Sequence, residues 1–217
     1  MKKFLVLIAI SLGSTSFAQV GISGGTNMLV GFGSQRTWGG LHVGLEIPRD
    51  DAVSIYGRIS HYLARSAQDS ISAFATTTDL TEVITVDGVS RMNYTTIEGG
   101  TRYYLGDGYD FGWAAYGGSN LMLIFNGVRN RFEPFDETKY QIDENVGQRG
   151  TIFSLAFGLG GGLKYSMEQF GTMYFDMSVS YVIFGQASNA TASQQFGQLY
   201  SPLLFTFNLG FRRDISW

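Results

Sequence analysis

In the stretch LLFTFNLGFRRDISW, Leu203, Phe205, Phe207, Leu209 and Phe211 occupy every second position, with Leu204, Thr206, Asn208, Gly210 and Arg212 between them. Side chains of an extended strand point alternately to opposite faces, so this segment has one greasy face and one mostly small or polar face. The same period of two recurs near 20–32, 38–47, 52–64, 92–105, 110–125, 151–165 and 172–184. Eight such segments predict an all-β chain in which every strand must set one face against something apolar.

The connections between these segments carry the topology. They are Gly33 to Thr37, Pro48 to Asp51, the long 65–91, Gly106 to Tyr109, the long 126–150, Ser166 to Gly171, and Gly185 to Tyr200. Every second connection is a tight turn, and those between are, after the first, much longer. This asymmetry predicts a transmembrane, eight-stranded, antiparallel up-and-down β-barrel with short periplasmic turns and longer outer loops. An even strand count returns both ends of the barrel to the short-turn side.

Sorting the strands by parity separates two faces. One reads Leu41, Val43, Leu45, Ile47; Val53, Ile55, Ile59, Leu63; Ile97, Tyr103, Leu105; Phe111, Trp113, Leu121, Leu123. It continues through Phe153, Leu155, Phe157, Leu159, Leu163 and then Met173, Phe175, Met177, Val179, Tyr181, Ile183. The other face holds Gly, Ser and Ala together with His42, Glu46, Arg58, Glu98, Arg102, Lys164, Asp176 and Arg212. A water-facing sheet normally carries many Lys and Glu, whereas this face has a single lysine, Lys164. Small residues suit the cramped lumen of an eight-stranded barrel, so the greasy face is expected to meet lipid. Tyr103, Phe111, Trp113, Phe211 and Trp217 are expected at the periplasmic interface, and Phe32, Phe125, Phe153 and Tyr181 at the outer one.

Lys2 and Lys3, the apolar run Phe4 to Leu12 and the small-residue site Ser16-Phe17-Ala18 read as a secretory signal peptide over 1–18, leaving 19–217 as the barrel domain. The chain has no cysteine, hence neither a lipid anchor on Cys nor a disulfide framework. Fifteen Lys and Arg against 18 Asp and Glu argue against a nucleic-acid partner, which calls for a basic stripe. No apolar run after the leader approaches the ~20 residues of a membrane helix. No second, peptidoglycan-binding module is expected.

A last strand of alternating apolar residues closing on an aromatic resembles the C-terminal insertion signal of outer-membrane barrels, here Phe207, Leu209, Phe211 and Trp217. With the Phe-Ala-Gln cleavage region and the eight-strand rhythm, the whole mature chain resembles the small barrels of the OmpA-transmembrane-domain, OmpX and OmpW type. The likeness is greatest to the Bacteroidota branch that includes PorT- and PorG-like proteins. The resemblance implies a place in the outer membrane of a Gram-negative cell, among outer-membrane lipids and lipopolysaccharide, after insertion by the barrel-assembly machinery. It further implies a structural or interaction role, such as an accessory subunit of a secretion or assembly complex, with a small OmpW-like channel as the alternative.

Continuing the 65–91 hairpin in register sets Arg58 opposite Glu98, and the Pro48–Asp51 turn sets His42 beside Arg58. A mid-lumen ladder of His42, Arg58, Glu98 and Tyr116 is therefore expected. Buried ions must be paired and hydrogen-bonded. The expected consequence is a sealing network rather than a gated path for protons or small solutes.

Nucleophilic catalysis needs a nucleophile and a positioned base. Only His42 and His61 are available, and His61 is flanked on its own face by Ile59 and Leu63, while Ser60 and Tyr62 point inward. No enzyme activity, cofactor or metal is expected; Asp136-Glu137 and Asp143-Glu144 lack a calcium-loop spacing. Gly158-Leu-Gly160-Gly-Gly162 lies inside a strand, so it reads as steric relief rather than a phosphate loop.

Partners would meet loops 65–91 and 126–150. Within the first, Thr81-Glu-Val-Ile-Thr-Val alternates and closes on Asp87-Gly88, which predicts a turn there and a hairpin continuing above the membrane. Asp69-Ser70-Ile71 resembles a short O-glycosylation motif of Bacteroidota surface proteins, and Asn189-Ala-Thr191 fits an N-glycan pattern without meaning in a bacterium.

Overall fold

The computed structural model describes residues 19–34, 36–77, 79, 81–142, 149–187 and 201–216. The expected leader, Trp217 and Asn189 lie outside the described residues. The strands are β1 (Gln19–Gly31), β2 (Arg36–Pro48), β3 (Val53–Ala75), β4 (Val83–Gly106), β5 (Gly112–Phe132), β6 (Tyr140–Ile142), β7 (Arg149–Met167), β8 (Gly171–Ala187) and β9 (Leu203–Ser216). Eight of them form an antiparallel ring in the order β2-β1-β9-β8-β7-β5-β4-β3, closed by β2–β3, and the short β6 adds to the far side of β3. Closure leaves no backbone edge within the ring, the condition for crossing a bilayer with strands. No helix among the described residues is long and apolar enough to cross a membrane.

The parity assignment holds around the ring. Leu41 is 68% exposed on the outside, while Lys164 is 2% exposed on the inside. The outer face is aromatic at both ends. Trp113 and Tyr165 lie 4.8 Å apart at one end, and Phe125 and Phe153 lie 5.3 Å apart at the other. From Trp113 to Phe125 the strand runs about 40 Å, or about 30 Å along the membrane normal at a ~40° tilt. That matches a hydrocarbon core of about 30 Å.

Glycines fill the inner face because nothing larger fits. A β-carbon on Gly162 would collide with the Phe175 carbonyl oxygen and the Tyr116 phenol, and one on Gly118 with the Thr101 carbonyl. The glycine-rich run of β7 is thus a packing feature.

Two sequence expectations are corrected by the ladders. β3 and β4 are 23 and 24 residues long. Most of the expected loop 65–91 is therefore strand. Asp87 and Gly88 are not a turn but lie within β4 opposite Ser70 and Asp69. β5 likewise runs on to Phe132. These extensions rise past the ring, because β2 leaves β3 at the Gly40–Tyr62 pair. A bulge between Tyr62 and Arg65 marks the rim, where bulges bend a strand. Above it, β6 pairs with Ala73 to Ala75, and the Thr76 amide donates to the Lys139 carbonyl at 2.8 Å. In that outer segment the Thr138 hydroxyl, and after it Lys139, hold the Asp136 carboxyl below the usual carboxylate range.

The second correction concerns the β2–β3 turn. The Asp50 carboxylate accepts from the Ala52 and Val53 amides at 2.9 and 2.8 Å. This Asx-type capping centres the turn on Asp51, so the first paired residues are Pro48 and Ser54. Arg58 is consequently opposite Gly44, and His42 opposite Ser60. A shift of this size preserves parity and changes neighbours.

Candidate functional site

The lumen is where the chemistry collects. Arg58 Nη2 lies 2.8 Å from Glu98 Oε2, and its Nη1 lies 3.3 Å from Asp176. Arg102 bridges Asp176 at 2.8 Å and Glu46 at 2.6 Å. Arg212 joins Glu46 at 3.3 Å and Asp214 at 3.1 Å. Glu98, Arg58, Asp176, Arg102, Glu46, Arg212 and Asp214 therefore form one chain of alternating charge. Removing ions from water costs several kcal/mol each, which this arrangement offsets by giving every interior guanidinium two carboxylates.

Neutral donors complete the shells. Tyr56 and Asn120 donate to Glu98, both at 2.5 Å, and Asn208 donates to Asp176 at 2.6 Å. Ser54 at 2.5 Å and Tyr104 donate to Glu46. The Arg102 guanidinium lies over the Tyr56 and Tyr116 rings at 4.3 and 4.9 Å, a cation–π geometry.

Three expected members sit elsewhere. His42 is buried, but its Nε2 meets the Tyr174 hydroxyl at 2.7 Å and no carboxylate. Tyr116 is opposite Tyr104 rather than beside Glu98, and reaches Asp176 at 3.3 Å. Lys164 donates to the carbonyls of Tyr109 and Phe111 at 3.1 and 2.9 Å and to Ser166 at 3.0 Å. Backbone carbonyls, not an acid, solvate that ammonium. The member missed by sequence reasoning is Asp214, whose signal was its inner parity two residues beyond Arg212.

Below the ion chain, the β4–β5 turn folds back into the barrel mouth. The Tyr109 amide donates to the Asp51 carbonyl at 2.9 Å, its hydroxyl to Asp214 at 2.9 Å, and Arg212 stacks on its ring at 3.8 Å. Burial pushes the Tyr109 phenol up. Gly108, with φ of 75°, permits the fold-back, and a β-carbon there would press on the Asp51 carbonyl.

Above the ion chain the interior is apolar, a layer that the parity reading did not anticipate beyond Tyr62 and Leu204. Trp38, Tyr62, Met92, Tyr94, Met122, Ile124, Ile152 and Leu204 are all fully buried. Trp38 crosses Tyr94 edge-on at 4.9 Å and donates its Nε1 proton to the Met92 carbonyl at 3.2 Å. Within the ion chain itself, a cavity of about 20 Å³ lies among Arg58, Glu98, Arg102, Tyr116 and Asp176. Such a space holds about one water.

On the outside, His61 Nδ1 meets Thr95 Oγ1 across the β3–β4 ladder at 2.9 Å. The sequence flanks of His61 do not disclose this partner, which the β3–β4 register supplies from the neighbouring strand. Among the described residues no three His, Cys, Asp or Glu side chains converge as metal ligands. Phe207, Leu209 and Phe211 lie on the outward face of β9, as expected.

A closed antiparallel ring, apolar and aromatic-banded outside and ion-paired within, is an integral outer-membrane β-barrel. No family model matches the chain, and no curated protein matches it. Solved structures of the same architecture do. A major outer membrane protein from Thermus thermophilus aligns over 90% of this chain and 99% of its own, with 11% identity and a TM-score of 0.50. OprG from Pseudomonas aeruginosa aligns over 92% and 97%, with 12% identity and a TM-score of 0.46. Neisserial surface protein A aligns over 92% and 96%, with 9% identity and a TM-score of 0.49. The likeness is one of fold, and it agrees with the small-barrel resemblance of the sequence.

Proposed function

We propose that this protein is a sealed barrel that works as a structural or docking component of the outer membrane, neither conducting solutes nor catalysing a reaction. The observation that carries this reading is the lumen's stacking among the described residues: the Tyr109 turn, the seven-residue ion chain, whose own cavity is about 20 Å³, and the Trp38–Tyr94 layer fill it in succession. The competing channel reading requires an open path through the buried Arg102 and Trp38. The enzyme reading requires a carboxylate to orient His61, and among the described residues none hydrogen-bonds it.

With the lumen closed, interaction falls to the outer extension of β3, β4, β5 and β6, which suits an accessory subunit of a larger secretion or assembly complex. Strand β9, through Phe207, Leu209 and Phe211, offers the assembly machinery its insertion handle. Purified protein in planar bilayers is expected to show no discrete conductance steps above the bare membrane. Large reproducible steps would overturn the sealed reading. Gentle detergent extraction of native membranes is expected to co-purify another outer-membrane protein, and recovery of the barrel alone would overturn the subunit reading.

A further inference from the structure

Arginines gather on the outward face just above the lipid-facing band. Arg91 on β4 is directly opposite Arg129 on β5, and Arg129 is directly opposite Arg149 on β7. All three belong to the outward parity and are exposed. Like charges directly opposite on neighbouring strands destabilise a sheet. Among the described residues, neither Arg91 nor Arg129 makes an ion pair or a side-chain hydrogen bond. At Arg91 and Arg129 the free protein thus holds a repulsive pair that an anion would relieve.

The row stands at a definite height. Phe125, which faces lipid, lies four residues below Arg129 on the same strand. That separation is about 13 Å along the strand and about 10 Å along the normal at a ~40° tilt. It is the depth of headgroups, within reach of long arginine stems. Directly beneath the Arg91–Arg129 pair, Gly127 replaces a side chain, and Asn93 closes on its amide at 3.1 Å. The result is a notch of about 280 Å³ lined by His61, Arg91, Asn93, Gly127 and Arg129. Its floor is polar, with Leu63 level beside it, and Ile59, Ile97 and Phe125 spread below as an apolar apron.

We infer that this notch is a binding site for the phosphate of an outer-leaflet lipid, with Arg91 and Arg129 clamping the phosphate and the acyl chains lying on the apron. Arginine forks match phosphate oxygens in a bidentate manner, and the two guanidiniums converge from facing strands. The inference does not depend on whether the lumen is sealed.

The test uses the full barrel reconstituted in phosphatidylcholine vesicles containing either diphosphorylated lipid A or the same glycolipid with its phosphates removed. Lipid retained after exchange into mild detergent is counted by native mass spectrometry. The wild type is expected to keep the phosphorylated form and to lose the dephosphorylated one. The double variant Arg91→Gln/Arg129→Gln is expected to lose retention by at least about tenfold, since the charge-assisted hydrogen bonds of both guanidiniums are removed. Arg213→Gln, on the periplasmic side, should retain lipid as the wild type does, and Arg91→Lys/Arg129→Lys should fall between. Each variant is first checked for the compact migration of a folded barrel on an unheated gel. Equal retention of both glycolipids, or full retention by a folded glutamine double variant, would overturn the inference. So would displacement of the lipid by excess inorganic phosphate, which would make this a soluble-anion site.

Discussion

Arg58 and Asp176 are 118 residues apart in the chain and 3.3 Å apart in the lumen. They sit on β3 and β8, strands that share no ladder, so their bond is a strut across the barrel rather than a rung along its wall. Asp176 also links the Arg58–Glu98 pair to the Arg102–Glu46 pair, because it accepts from both guanidiniums.

Asp176→Ala should therefore be among the costliest interior changes. It strips one partner from both Arg58 and Arg102, and breaking a buried pair from one side costs about 3–5 kcal/mol. Urea unfolding in lipid vesicles, followed by tryptophan fluorescence, measures it. A double-mutant cycle of Arg58→Ala with Asp176→Ala should return a coupling of about 0.5–3 kcal/mol. Additive losses would mean that the strut holds nothing.

Tyr109 should control water access to the lower lumen. The native chain has no cysteine, so a single Ser166→Cys beside Lys164 reports cleanly. That thiol should resist a membrane-impermeant maleimide in the otherwise native barrel and react at least an order of magnitude faster when Tyr109→Ala is added, because local opening governs such access. Tyr109→Phe, which keeps the ring over Arg212, should stay protected. Equal labelling in all three would show that the turn is no stopper.

Parity makes the interior charges legible: Glu46, Arg58, Glu98, Arg102, Asp176 and Arg212 fall on the inward parity of their strands, because a strand has only two faces. The Arg58–Glu98 pair was legible too, since both residues lie on neighbouring strands of one long hairpin. What crosses the barrel was not. Arg102 meets Glu46 only because ring closure curves β2 and β4 toward one another, and no ladder encodes that. The upper apolar layer escaped because stretches such as Leu121-Met-Leu-Ile-Phe125 are apolar on both parities, which leaves a period of two with nothing to distinguish. The rise of the β3–β4 hairpin above the rim was legible in the alternation of Thr81 to Val86, but its length was not, because the serines, alanines and aspartate of 65–75 carry little hydrophobic contrast. The Arg91–Arg129 row needed the β4–β5 register, which fixes the opposition of two residues on separate strands.

Glycine positions should divide sharply by face. A β-carbon on Gly118 meets the Thr101 carbonyl, backbone of the adjacent strand, whereas one on Gly39 meets nothing within 4 Å. Gly118→Ala should cost about 1–3 kcal/mol as overpacking, or prevent folding outright. Gly39→Ala should stay within about 0.5 kcal/mol of the wild type. The folded fraction on an unheated gel, followed by urea titration of what folds, decides between them. Tolerance of Gly118→Ala would mean that the lumen is looser than its contacts indicate.

The outward face should respond to charge according to depth, which is the signature that separates lipid from water. Leu121 lies on β5 between the two aromatic bands, and Leu105 lies near the periplasmic end of β4; they are 50% and 71% exposed. If water surrounded the barrel, an arginine at either position would be solvated equally and the more exposed site would be the more tolerant by a small margin. In a bilayer the midplane position must carry its charge through hydrocarbon, at about 2–4 kcal/mol, while the interfacial one reaches headgroups and costs about 0–1 kcal/mol. Unfolding of Leu121→Arg and Leu105→Arg in vesicles gives the difference directly. A gap of about 2 kcal/mol or more is expected, and equal costs would mean that the greasy face does not meet lipid.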